Sequence, residues 1–449
     1  MKIRSIYALL IVAVLTVFNS CKKETVDVTE LLKSVPSSAA GVVVFNMEGM
    51  LEDAGCKIKG HQVEPSKEVL ALLNKNSSSG NKDYLMLFDG STGIEPKGAV
   101  VFYDSNRAFL TFALYDVNKF CEFIENQNGT KFTTEDSGVK LNGNIAVKGA
   151  QAWVCLTKGK RIDPDGIASY STIGTSQSFL VTPMGEKLLT EENDIRGWAM
   201  INTFVNEMLS RSDRSMVTLG LGFVFEDSES VKFKADFKKG EIEAEAVVLN
   251  GKGKPAKYLL PSDKVDVETL KSLGTSCDAL MAFTVTPKLI KKFEQLGTAL
   301  GGSLFGDLGD TFKNIDGTVG IISSGEGVGE SIRGLVSTKG EVSKALRDLI
   351  SQQIAPVSVE GKYLKFEKGD VKGNLDVAEC AEELKGCCIG VAVDATGYNS
   401  VGYGDSAPSG LKNMFIKLKP ESGGLELELE VNTMNDNENA LLTVLKRSI

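Results

Sequence analysis

Two stretches of strict alternation mark the chain, Glu241-Ile242-Glu243-Ala244-Glu245-Ala246 and Leu425-Glu426-Leu427-Glu428-Leu429-Glu430. Apolar and charged residues at period two occupy opposite faces of an extended strand, so each stretch predicts a half-buried strand whose acidic row faces solvent. Apolar runs at 108–114 and 332–336 predict two more strands, and each leads into a segment of helical period. In 116–126 the residues Val117, Phe120, Cys121 and Ile124 fall at i, i+3, i+4 and i+7, one stripe of an α-helix. In 341–350 the corresponding stripe is Val342, Leu346 and Leu349.

The order of these patterns repeats along the chain. The segment from Leu32 to Phe45 aligns without a gap on Leu270 to Phe283, and both read as a turn feeding a strand. A short helical pattern follows each, Met47 to Ala54 and Pro287 to Leu296, with Pro287 suited to a first helical turn. Asp83 to Gly90 aligns on Asp310 to Gly317, and both end in Asp-Gly ahead of a strand. The expectation is an α+β fold of two tandem repeats, each an antiparallel sheet with helices packed on one face. The first repeat spans 31–262 and carries insertions, notably 161–209; the second spans 263–449.

Ahead of the repeats, Lys2 and Arg4 form a basic head before an apolar run from Ile6 to Phe18. That run is shorter than the roughly 20 residues a spanning helix needs, so 1–20 is expected to be a cleaved signal peptide. Phe18-Asn19-Ser20-Cys21 resembles a lipobox, with Phe18 where Leu is usual and Asn19 where a small residue is usual. In that reading the Cys21 thiol takes a diacylglycerol, Cys21 becomes the new N-terminus, and 21–30 is a tether. Lipoproteins of this kind carry two or three acyl chains such as palmitate, enough for stable anchoring at about 0.8 kcal/mol per buried methylene. An ordinary secretory signal is the alternative. Lys22-Lys23-Glu24 only partly matches the acidic signal for surface display, so the periplasmic and surface faces of the outer membrane both stay open.

With the lipobox, the opening Val35-Pro36-Ser37-Ser38-Ala39, the Asp-Gly turn and Asn193-Asp194-Ile195-Arg196-Gly197-Trp198, the chain resembles a family of Bacteroidota lipoproteins known only as a domain of unknown function, family 4836. The resemblance covers most of the mature chain. It implies an envelope location and a duplicated architecture, and no catalytic residues.

Composition narrows the chemistry further. A net charge of -9 and a pI near 5.1 oppose nucleic-acid binding. The chain has a single histidine, His61, read as a surface-loop residue, so triads built on histidine have no base to use. Gly404-Asp405-Ser406 resembles an esterase nucleophile block but no histidine follows it, whereas Asp405-Ser406-Ala407 fits an O-glycosylation acceptor, which makes Ser406 a candidate modification site. Seven cysteines remain after Cys21, most of them in apolar settings; Cys380 is left free to pair with Cys387 or Cys388. No paired Cys-x-x-Cys supports zinc. Asp163-Pro164-Asp165-Gly166 and the run from Asn435 to Asn439 offer oxygen ligands, but without the spacing of a calcium loop, and turns favour the same residues. Gly297 to Gly309 lacks the ending of a phosphate loop. Asp89-Gly90 and Asp316-Gly317 read as tight turns. No metal, cofactor or catalytic residue is expected.

The function expected from these features is that of an anchored, non-enzymatic envelope module binding a protein, peptide or glycan. The alternative is a carboxylate-dependent hydrolase of the cell envelope, which needs two buried carboxyl groups facing one cleft and no histidine.

Overall fold

In the computed structural model the described residues are 28–76, 89–104, 106–157, 160, 162–208, 214, 224–291, 294, 311–325, 331–396, 410–421 and 423–448. They divide into two compact units. Unit 1 is Met1–Arg214 with Glu229–Ile242 and Asn435–Ile449; unit 2 is Ser215–Ser228 with Glu243–Met434. The division therefore does not fall at a single point such as 262/263, because the chain that has built unit 2 returns to unit 1 for its last residues.

Unit 1 opens with α1 (Val28–Lys33), β1 (Gly41–Phe45) and α2 (Met47–Asp53). A hairpin of β2 (Lys57–Lys59) and β3 (Gln62–Glu64) leads to α3 (Lys67–Asn76). Then come β4 (Ile94–Asp104), β5 (Arg107–Leu114) and α4 (Val117–Asn128). Asp116 starts α4 by accepting the N–H groups of Asn118 and Lys119 at 3.0 and 3.1 Å, and Gly129 ends it in the left-handed region at φ 67°. The small strands β6 (Thr133–Thr134), β7 (Lys140–Asn142) and β8 (Ile145–Lys148) precede β9 (Gln151–Cys155). After α5 (Pro164–Ser171) and α6 (Pro183–Thr190) the chain adds β10 (Ile195–Met200), α7 (Ile201–Met208) and β11 (Ser230–Lys238).

In the unit 1 sheet, β1 is central and antiparallel to both β4 and β10. Beyond β4 lie β5 and then β9; beyond β10 lies β11. β1 reads Gly-Val-Val-Val-Phe, an unbroken apolar run, and a strand without alternation must be covered on both faces. One face packs on α4 through Phe112, Phe120, Ile124 and Val154, with the Phe112 and Phe120 rings edge-on at 5.7 Å. On the other, Phe102 and Phe109 receive the edge of Tyr170 from α5, and Trp198 of β10 meets Phe179.

After Ser215–Ser228, unit 2 takes up most of β12 (Glu241–Leu249) and continues through α8 (Val267–Lys271), β13 (Ser276–Cys277) and β14 (Ala279–Val285). Next come β15 (Ile315–Ser324), β16 (Ser331–Thr338), α9 (Lys344–Gln353), β17 (Val357–Glu360) and β18 (Tyr363–Lys368). β19 (Leu375–Asp376), α10 (Val377–Glu383), β20 (Ile389–Asp394), β21 (Leu411–Glu421) and β22 (Gly424–Thr433) complete it. β14 lies between β15 and β20; β16 and β18 extend the first side, β21 and β22 the second. This is the strand order of unit 1. Leu280, Ala282, Ile322 and Phe415 pack on Leu270 of α8 and Val377, Cys380 and Ala381 of α10, while Val319, Val336 and Phe366 pack on Leu346 and Ile350 of α9. The chain then ends in α11 (Ala440–Ser448), in unit 1, where Leu445 packs on Leu51, Cys56, Val63 and Val69.

The α+β class with antiparallel sheets is as the sequence predicts, but helices cover both faces of each sheet rather than one. Phe120, Cys121 and Ile124 form the inward stripe of α4. The second stripe differs: Ser343 caps α9, so Val342 precedes the helix, and the inward residues are Leu346 and Ile350 while Leu349 is 46% exposed. The Asp-Gly pairs do not correspond either. Phe45 faces Ala99 and Phe283 faces Val319, which places Asp316-Gly317 inside β15, at its irregular start, at the rank of Pro96-Lys97 rather than of Asp89-Gly90. Asp89-Gly90 is a turn, with Asp89 Oδ1 accepting the Ser91 N–H at 2.7 Å and Gly90 at φ 74°. Residues 83–88, 297–309 and 310 lie outside the described residues, and of the pattern from Pro287 to Leu296 only 287–291 and 294 are described.

Candidate functional site

On the α8/α10 side of the unit 2 sheet, α10 covers β14 and β20, and β21 and β22 run on past it. Where that helical cover stops there is a cleft of about 580 Å³. Its wall is the outer side of α10 with Glu379, Glu382 and Glu383; its floor is the facing row of β20, β21 and β22. That row is a cross-strand ladder: Asp394 lies opposite Asn413, Asn413 opposite Asn432, and Phe415 opposite Glu430. Six carboxylates line the cleft (Asp376, Glu379, Glu382, Glu383, Asp394 and Glu430) against two lysines, Lys271 and Lys412.

Several of these carboxylates already have structural work. Asp376 caps α10 by accepting the N–H groups of Ala378 and Glu379 at 2.8 and 3.0 Å. Asp394 accepts the Thr396 N–H at 2.8 Å and the Asn374 amide at 2.7 Å. Burial works against its charge, but these bonds outweigh it and hold its carboxyl below the usual range. Lys271 binds Glu382 at 2.7 Å and Glu268 at 3.0 Å, which raises the lysine and lowers Glu382. The Asn413 Oδ1 atom is buried with no hydrogen-bond partner.

Beneath the cleft, Lys417 is 4% exposed and lies 2.6 Å from Glu430, 3.4 Å from Glu383 and 3.7 Å from Glu428. Burial pulls its pKa down, but the hydrogen bond to Glu430 and the fields of Glu430, Glu428 and Glu383 push it above the ordinary lysine value. The acidic row of β22 is thus not simply a solvated face. Glu428 lies opposite Lys417 and pairs with it and with Lys419, and Glu430, opposite Phe415, is 14% exposed and reaches Lys417 diagonally.

The other residues singled out in the sequence fall elsewhere. His61, in the β2–β3 turn, is not a free loop residue: its ring stacks on Tyr115 at 3.8 Å, and Nδ1 stands 3.5 Å from Oε2 of Glu95. Although within ion-pair range, those atoms make no hydrogen bond, and both Glu95 oxygens are buried without one. Burial, then the charges of Lys119 and Lys97, lower the His61 pKa; burial also raises that of Glu95, opposed by Lys97 and helped by Glu48. No nucleophile is within the described contacts of this pair. Asp163 is the cap of α5, accepting the Asp165 N–H at 3.2 Å, and Asn435 accepts the Asn437 N–H at 3.3 Å, so both supposed oxygen loops serve their own backbones. Among the described residues no group of three or more His, Cys, Asp or Glu side chains is placed to hold a metal ion.

Cys56, Cys121, Cys155, Cys277, Cys380, Cys387 and Cys388 are buried and free, and Cys380 pairs with neither Cys387 nor Cys388. Burial pushes the thiols of Cys277 and Cys380 up to about 12 and those of Cys387 and Cys388 to about 11. Cys21 and Ser406 lie outside the described residues. No helix among the described residues is long and apolar enough to cross a membrane.

No family model and no curated protein matches the chain. Among solved structures it is similar to crystal form III of TP0453, at 10% identity and a TM-score of 0.32, over 78% of this chain and 96% of that one. Crystal form I of TP0453 gives 10% identity and a TM-score of 0.29, over 78% and 95%. Likeness at that level carries no argument about function.

Proposed function

We propose that the chain is an outer-membrane lipoprotein, anchored through Cys21, that acts as a non-enzymatic binding module, and that the unit 2 cleft receives the cationic side chains of a protein or peptide partner. The observation that supports this reading is the imbalance of six carboxylates to two lysines in one cleft. Glu379 and Glu383 stand exposed at its helical wall, where they can approach an incoming ammonium or guanidinium without large desolvation. The family resemblance and the lipobox support the location, and descent of both units from one duplicated ancestor accounts for their shared strand order.

Titration of the full chain with an oligolysine peptide tests the ligand class. Binding is expected to weaken steeply with salt and to fall about tenfold or more on Glu379→Gln with Glu383→Gln, the equivalent of about 1.4 kcal/mol. Equal binding by the double variant would remove the cleft from the proposal. Cys21→Ser is expected to shift the protein from the membrane to the soluble fraction.

A second reading has one observation in its favour. Glu383 and Glu430 both line the cleft and both bind Lys417, which brings the carboxylates within about 6 Å, inside the range paired-carboxylate hydrolases use. The shared ammonium opposes this reading, because it occupies the space where a substrate would have to enter. Envelope polymers left uncut by the wild-type chain and by Glu430→Gln alike would eliminate it.

A further inference from the structure

Where the chain returns to unit 1, three carboxylates from separate parts of the sequence meet. Asp53 ends α2, Asp194 precedes β10 and Asp236 lies in β11. Asp236 accepts the Asp194 N–H at 3.2 Å and the Asn193 amide at 2.5 Å, and Asp194 Oδ2 accepts the Phe237 N–H at 2.8 Å. Asp194 is 8% exposed, and the carboxyls of Asp53 and Asp194 are neighbours around Phe237. Two adjoining carboxyl groups can hydrogen-bond to each other only if one of them carries a proton, since an ionised carboxylate has nothing to donate.

Asn439, at the start of α11, spans this arrangement. Its Nδ2 donates to Asp53 Oδ1 and to the Phe237 carbonyl, each at 2.6 Å. One hydrogen thus goes to the α2 side and the other to β11, whose Phe237 N–H is already held by Asp194. The amide can keep both partners only while α2 and β11 stay together.

We propose that Asp53, Asp194 and Asp236 form a proton-operated latch that fastens the C-terminal helix α11 to unit 1 while one proton is shared and loosens it when that proton is lost to solvent. Removing the proton sets Asp53 and Asp194 against each other as buried like charges, parts α2 from β11, and strains the Asn439 bridge. The groups facing Asp53 do not compensate. Asp194, Glu52 of its own helix and Asp236 are all acidic. On β11, Lys234 and Lys238 share the Asp236 side of the strand by alternation. On the α11 side, Asp436 lies against Gly240, next to Lys239, and Glu438 is paired with Lys446. Burial first, then Asp194, Glu52 and Asp236, push the Asp53 carboxyl up to about 7, and Asp194 is raised too, chiefly by burial.

The folded pKa of Asp53 lies above its unfolded value, so the stability it contributes is full below the unfolded value of about 4 and is lost as pH rises through about 7. Hydrogen exchange on the full chain, corrected for intrinsic rates and referred to α4, reads this directly. From about pH 5.5 to about pH 8.5 the protection of α11 is expected to fall by up to tenfold per pH unit, the limit for one linked proton, and to stay level in Asp53→Asn, where an amide replaces the protonated carboxyl. A flat wild-type profile, or the same fall in the variant, overturns the proposal. Should the variant not fold, carboxyl carbon NMR of the wild type decides: titration of Asp53 near neutrality supports the latch, and titration in the ordinary aspartate range overturns it.

Discussion

Lys417 illustrates what single residues do here that their sequence neighbours do not announce. In Ile416-Lys417-Leu418-Lys419 it reads as one more charge on a solvated strand face, yet it is buried and ringed by Glu430, Glu383 and Glu428. Its surroundings come from a helix and a strand elsewhere in the chain, and no local pattern encodes them. Lys417→Met leaves Glu430 nearly buried without its cation. The expected loss is about 2–4 kcal/mol, below the cost of a fully buried pair because Glu383 is half in solvent. Denaturant midpoints check this, and Lys417→Met with Glu430→Leu should recover part of the loss, since removing both charges strands neither. His61 was equally illegible: a turn between short strands predicts exposure, and only the distant Tyr115 and Glu95 make it half-buried. The cleft itself is not legible in the sequence, because its carboxylates come from β19, α10, β20 and β22 and resemble any other acidic surface there.

At the scale of elements the hydrophobic pattern was far more informative. The alternating stretches are β12 and β22, the apolar runs are β5 and β16, and the α4 stripe is the buried face of that helix. These succeed because period alone decides which side of an isolated element is apolar. The α9 stripe slipped because the cap at Ser343, not the apolar count, fixes where the helix starts and hence its phase. The unbroken Val42-Val43-Val44 carries the signal for cover on both faces, while the alternating strands further along point to cover on one. A cross-strand device is shared by the two sheets. Gly197 faces Phe233 and Gly334 faces Phe366, and a Cβ on either glycine would run into the ring opposite. Gly334→Val must displace the Phe366 ring from the core it shares with Leu346 and Ile350, with an expected cost of about 1–3 kcal/mol measurable by thermal unfolding.

For the whole molecule, the sequence conveyed two similar halves but not the path that joins them. A boundary drawn from the order of sequence patterns cannot show that the last residues of the chain complete the first unit, because α11 packs on Leu51, Cys56, Val63 and Val69 from the opposite end of the sequence. A chain ending at Met434 is therefore expected to lose the cover over Cys56 while the unit 2 core stays closed. Reaction with a thiol reagent checks this: Cys56 should become labelled within the native-state assay, and Cys277, Cys380, Cys387 and Cys388 should not. The seven buried thiols thereby acquire a use that packing alone would not suggest. With three in unit 1 and four in unit 2, none exposed and none tied to another, they are a built-in set of tamper seals, each broken only when its own part of the core opens, and the order in which they break would chart how the protein comes apart.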